Sequence, residues 1–457
     1  MTGKASAYVG GLLGILLALS GFAPAERGFA LAEPGAAAGA PTAAELHAPS
    51  AHNPCFDQPG LWPEDVKKTA YYQQKWEPAR LLVWARTGQR MEAKALMDPK
   101  NWLEYPPSPG GYDEKSGKPA TQPPDENTDV LFPDSDRSYE IGGGAGITLR
   151  VRHLTLGAKA TFGYGVDRLE IGGNVWLRKD LGHFGSHTHS YFGNKATFLR
   201  NDRPLPKAGI PPDWALALGV NKPKGGSIEF LGPWAIGDEL HIDSGTMLLG
   251  PNSVFYAGNR GPHVVYPGGT LVLMSGSTFR IRANKCYHHD LIVSGTVLAG
   301  TPERPLKSDC VFCLSFKAHG EVDASLPQNR HLKNLSTPND SGLVINPEGR
   351  LAVHSADPAK ARLVFRWHGL EAEAFVGPDA PRESIKDVPR RIAIILLGQV
   401  ELNGVEFNDM RRGGIVLADP SVRRQWENVF HGKNNGGSPE ELYRVYDGPK
   451  AVPLQRK

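Results

Sequence analysis

Short stretches of alternating apolar and polar residues return along this chain at a nearly fixed interval, each introduced by a glycine. The glycines are Gly245, Gly269, Gly295, Gly320, Gly349 and Gly398, separated by 24, 26, 25, 29 and 49 residues, the last gap being close to two intervals. Two positions after each stands Met247, Leu271, Val297, Val322, Leu351 or Val400, and four positions after stands Leu249, Leu273, Ala299, Ala324, Val353 or Leu402. All of these are apolar, while the positions between them are mixed and include Asp323 and Glu401. A period of two is that of a β-strand with one face turned inward. One short strand cannot bury that face alone, so the repeated units must stack on one another as a solenoid.

The same frame appears upstream. Gly173, three intervals of 24 before Gly245, is followed by Val175 and Leu177, and Gly226 by Ile228 and Phe230. The interval is too short for propeller blades and too strand-rich for helical repeats, and the leucine-rich-repeat signature is missing. The expected fold is therefore all-β: a parallel β-helix of about 25 residues per coil, spanning 130–418, with a small mixed segment before it.

The flanks read differently. Residues 1–32 have the form of an export signal, with Lys4, an apolar run Val9 to Phe22, and Ala30-Leu31-Ala32 as an A-x-A cleavage site. Ala23-Pro24-Ala25 is a second candidate cut. The apolar run is shorter than the roughly 20 residues a membrane span needs, so no membrane span is expected after signal removal, and the mature chain is expected to be secreted, periplasmic or on the cell surface. Residues 33–52 read as a flexible linker. The segment 53–129 is expected to hold a helix over 64–74, a strand over 80–85 and a small core around Trp62, Trp76, Trp84 and Trp102. Residues 419–457 read as a polar tail with one helical turn near Pro439 to Tyr443.

Composition narrows the functional classes. Gly 53 and Pro 38 suit a turn-rich β protein, and 40% apolar residues suffice for a long core. A net charge of +3, without a basic tract, sets nucleic acid aside as a partner. Cys286 and Cys310 lie 24 residues apart, one interval, so a disulfide between stacked strands is expected, with Cys313 competing for the same bridge. The alternative for Cys310-x-x-Cys313 is a redox pair, or half a zinc site with Cys286, His288 and His289.

The densest polar cluster runs from Gly182 to Tyr191. On a regular strand, His183, His187 and His189 share one face and can chelate a metal, move protons or grip sugar hydroxyls, or simply decorate a solvent face. His187, His189 and Tyr191 are the candidate catalytic residues, and His183, Trp176, Arg200 and Arg203 the candidate substrate-binding ones. No metal ligand set is nominated and no cofactor is indicated. Two further groups are Lys285, His288, His289 and Asp290, expected at an exposed corner, and Asn408, Asp409, Met410, Arg411 and Arg412. The latter is either a turn or a site for an anionic sugar, since Arg neutralises carboxylates well.

The glycine-led strands, the turn Gly295-Thr-Val-Leu-Ala-Gly-Thr-Pro-Glu-Arg-Pro-Leu306 and Val400-Glu-Leu-Asn-Gly-Val-Glu-Phe407 resemble right-handed parallel β-helix proteins of the pectate-lyase-like class. The stretch from Asn101-Trp102 through Asp129-Val130-Leu131-Phe132 to Leu169-Glu-Ile-Gly-Gly-Asn-Val-Trp176 is similar to the opening of G8-type domains. The resemblance implies an exported protein that binds and processes an extracellular polysaccharide by lyase- or hydrolase-like chemistry. The alternative is a non-catalytic envelope scaffold or adhesin-type binding protein. The family's catalytic motifs are not found intact, so no active-site residue is carried over.

Overall fold

The computed structural model describes residues 79–108, 111–112, 117–144, 146–163, 165–204, 214–223, 225–258, 263–281, 289–315, 341–368, 392–410, 413–418, 428–432, 434 and 438–445. The expected export signal, the linker, the helix over 64–74, Trp62 and Trp76 lie outside them. The described chain is all-β, with a long parallel sheet and short 3-10 turns in place of α-helices.

Alternating apolar residues pair in register along three parallel ladders, because each strand hides its inner face only against its neighbours. The glycine-led ladder runs Leu82, Val130, Leu154, Val175, Leu199, Phe230, Leu249, Leu273, Ala299, Val353. A second is aromatic: Trp234, Phe255, Phe279, Phe312, Phe365, Phe407 and His431 are successive register partners. Its phenylalanine ring centroids lie 5.1–5.7 Å apart, within the range of favourable aromatic pairs. A third runs Val151, Ile171, Tyr191, Val220, Ile242, Val265, Val293, Ile345, Leu396, Leu417. The residues of all three ladders up to Ala299 are fully buried in one shared core.

The glycine positions are explained by close approach between rungs. A Cβ on Gly269 would run into the carbonyl oxygen of Ile242, one on Gly295 into those of Tyr266 and Gly269, and one on Gly398 into those of Asn346 and Gly349. Each glycine marks the tight passage from the third ladder to the glycine-led one, where neighbouring backbones leave no room for a side chain.

Three sequence expectations need correction. Val297 pairs directly with Leu351, and Leu351 directly with Val400. The ladder thus advances by 54 and 49 residues at these steps, and Gly320, Val322 and Ala324 lie outside the described residues. Next, the stretch taken as a polar tail adds two further strands, Val429–His431 and Tyr443–Val445, paired with Val405 to Phe407 and Ile415 to Leu417. Its expected helical turn is the 3-10 turn Pro439–Leu442. Finally, Trp84 and Trp102 belong to the main core rather than to a separate one. Trp84 and Trp102 pack edge to face at 4.9 Å and both meet Phe132, so the strand Leu81–Trp84 forms the first parallel rung of the main core.

Candidate functional site

In the aromatic ladder each inward phenylalanine is followed by a residue that faces outward. Tyr256, Arg280, Cys313, Arg366 and Asn408 are therefore successive register partners on one outer face. Rungs stand about 4.8 Å apart, which places the Arg280 and Arg366 backbones about 10 Å apart with Cys313 between them. Arg280 lies with its guanidinium carbon 5.8 Å from the Tyr256 ring centre. Its Nε and Nη2 are buried and have no hydrogen-bond partner, and no carboxylate among the described residues pairs with it. Arg366 is well exposed, and its nearest carboxylate, Asp409, stands 4.0 Å away.

Several other arginines of the outer surface hold a carboxylate. Arg152 grips Asp129 with two bonds of 2.6 Å, Arg362 meets Glu406 at 2.6 Å, and Arg200 meets Asp202 at 2.6 Å. A half-buried guanidinium short of protein partners favours an incoming carboxylate or sulfate, because charge-assisted bonds to its accessible edge are stronger than those it makes to water. Asn408 closes the row beside Arg366, with its amide donating to Glu406 at 2.7 Å. Of the run from Asn408 to Arg412, Met410 is buried in the core, and Arg411 and Arg412 lie outside the described residues.

The expected histidine groove divides. His187 is exposed and pairs through Nδ1 with Asp167 Oδ1 at 3.0 Å. His189 and Tyr191 instead point into the core and are fully buried. Burial lowers the His189 imidazole well below its ordinary pKa and raises the Tyr191 phenol well above its own. The reason is an irregularity in the strand: Ser186 and His189 are both buried with His187 and Thr188 between them, and at the same level the two adjacent strands shift register against their outer neighbours, between Val166 and Arg168 and between Ala215 and Ala217. The i, i+2 rule that placed His187 and His189 on one face fails across such a bulge. His183 is half-buried on the short strand His183–Phe184, the rung beside Thr161.

Trp176 and Arg200 are brought together, but on the glycine-led ladder, away from the strand that carries His187. They are register partners, Arg200 lies 5.3 Å from the indole ring, and Asp202 accepts from the Trp176 Nε1 at 2.7 Å. Arg178 flanks the same ring at 5.4 Å, so this layer is already occupied by its own side chains. Arg203 bonds Asn201 at 3.1 Å, and burial lowers its pKa.

The cysteine expectations are also revised. Cys310 points inward with Phe312 and Leu314, whereas Cys313 lies on the opposite face of the same strand. The two thiols do not converge, so Cys310-x-x-Cys313 forms neither a redox pair nor half a zinc site. No disulfide is present among the described residues, and Cys286, the other half of the expected bridge, lies outside them together with Lys285 and His288. Asp290 is buried rather than at an exposed corner.

The outward arginine row was missed because the sequence shows no local cluster there. The available signal was the spacing of Phe255, Phe279, Phe312, Phe365 and Phe407, each followed by the residue on the opposite, outer face of its strand. No described group of three or more His, Cys, Asp or Glu is arranged to hold a metal, and no described helix is long and apolar enough to cross a membrane. Comparison with family models, with curated proteins and with solved structures returned no match.

Proposed function

We propose that this chain is an exported right-handed parallel β-helix of the pectate-lyase-like class that binds an acidic extracellular polysaccharide along the outer face of its aromatic ladder. The in-register parallel strands support the architecture, and the unsatisfied guanidinium of Arg280 beside Arg366 is the observation that carries the ligand class. Two cations two rungs apart suit a linear chain with repeating carboxylates better than a neutral glycan, whose hydroxyls leave the charges unneutralised. Titration calorimetry with polygalacturonate and with neutral dextran tests this. Polygalacturonate should bind and weaken as salt rises, dextran should not, and Arg280→Gln with Arg366→Gln should reduce affinity at least tenfold while the far-ultraviolet spectrum is unchanged. Equal binding of both polymers, or none of either, would return the protein to the scaffold class.

A second reading, that the protein also cleaves its ligand, is favoured by the exposed His187–Asp167 pair. A carboxylate on Nδ1 orients the imidazole so that Nε2 can accept a proton, as elimination next to a uronate requires. Appearance of an ultraviolet-absorbing unsaturated product, abolished in His187→Ala, would support cleavage. Its absence with bound polymer would leave binding alone.

A further inference from the structure

Among the described residues His153, His189 and His263 are fully buried, and they are treated differently by the fold. His263 is built into the backbone network: Nε2 meets the Gly258 carbonyl at 2.9 Å and Nδ1 accepts from the Leu240 amide at 3.1 Å. His153 Nδ1 accepts from the Asn174 amide at 2.7 Å. His189 has no protein partner on either ring nitrogen. Two neighbours share its condition, since Tyr191 Oη and Trp214 Nε1 are buried and without partners. The His189 ring lies 4.3 Å from Trp214 and 6.5 Å from Tyr191, and Tyr191 lies 6.2 Å from Trp214, centre to centre.

This cluster stands between two described stretches of aromatic wall. The upstream one includes the strand His183–Phe184, and the downstream one Pro233 to Ala235 against Val254 to Tyr256. The Trp214 ring lies between them, 6.1 Å from Phe184 and 5.0 Å from Trp234. Buried polar atoms in folded proteins are almost always hydrogen-bonded, to protein or to ordered water. Four such atoms on three adjoining rings share one explanation.

We propose that His189, Tyr191 and Trp214 line an internal binding site for a small neutral hydrogen-bonding ligand, and that its occupant is ordered water. A neutral imidazole supplies one donor and one acceptor, the phenol one of each, and the indole a donor. That set complements water, which bridges buried polar groups through about three hydrogen bonds. An ion is disfavoured because the three rings offer no charge to balance it.

A crystal structure of the full chain at a resolution that orders solvent, with magnetic relaxation dispersion of water to count long-lived molecules, tests the assignment. Solvent density within hydrogen-bond distance of at least two of these four atoms, and a loss of at least one long-lived water in Tyr191→Phe or His189→Leu, would support it. Tyr191→Phe keeps the ring and so keeps the test open if His189→Leu does not fold. A dry cluster, rings bonded to one another, density too large for water, or an unchanged water count in Tyr191→Phe would each overturn it.

Discussion

Glu229 and Arg304, 75 residues apart in sequence, meet as a two-pronged ion pair, with Nη1 to Oε2 at 2.9 Å and Nη2 to Oε1 at 3.0 Å. Glu229 is fully buried on the outer face of the glycine-led ladder, so the turn that carries Arg304 is strapped down over it. Losing one partner strands a buried charge, which costs far more than the intact pair contributes. Arg304→Met should therefore lower stability by about 3–5 kcal/mol, and adding Glu229→Leu should restore most of it. Urea unfolding of the single and double variants measures both, and additive losses would refute the coupling.

Buried histidines make the fold acid-sensitive. Burial holds His263 at about 4, against an ordinary 6.5. The folded state then binds fewer protons than the unfolded chain between these values, so this stability is full above pH 6.5 and is lost as pH falls toward 4. The shift corresponds to about 3 kcal/mol at the acid end, and His153 and His189 act in the same direction. Denaturation midpoints measured across this window should fall steeply in the wild type and less steeply in His263→Gln.

The aromatic ladder contributes through volume as well as contact. Phe312 is fully buried between Phe279 at 5.1 Å and Phe365 at 5.5 Å. Phe312→Ala should cost about 3–5 kcal/mol by cavity formation, and Phe312→Leu distinctly less. Equal unfolding midpoints for wild type and Phe312→Ala would show that the stack is not packed as described.

Cys310 is fully buried, and burial raises its thiol pKa further above the ordinary value. Only the thiolate reacts readily. Maleimide labelling of the native protein should leave Cys310 unmodified, and labelling in denaturant should modify it. Peptide mass mapping distinguishes the two outcomes.

Gly295 tests why the repeat needs glycine. A Cβ there would meet two backbone carbonyls of the preceding rungs, which cannot move aside like a flexible side chain. Gly295→Ala should destabilise by more than about 1 kcal/mol through overpacking, seen as a drop in melting temperature. At Gly143 and Gly225 no atom lies within 4 Å of an added Cβ, although both have positive φ, so alanine there meets backbone strain alone.

Much of the architecture was legible in the chain. Met247, Leu271, Val297, Leu351 and Val400 announce a strand face by alternation alone, and the structure aligns them as register partners. Alternation is a local property, enforced by the pleat of each strand, so it survives reading one segment at a time. The length of each turn was not legible, because only pairing shows that Val297 reaches Leu351, 54 residues further on. The site behaved likewise. His187, His189 and Tyr191 sit at alternate positions, yet an irregularity at His187 and Thr188 leaves one outward and two inward. Arg280 and Arg366 are 86 residues apart and come onto one outer face, two rungs apart, only through strand pairing. Periodicity along one strand determined which faces hide from water; stacking between strands decided which polar side chains meet, since that depends on register over distances no local pattern encodes.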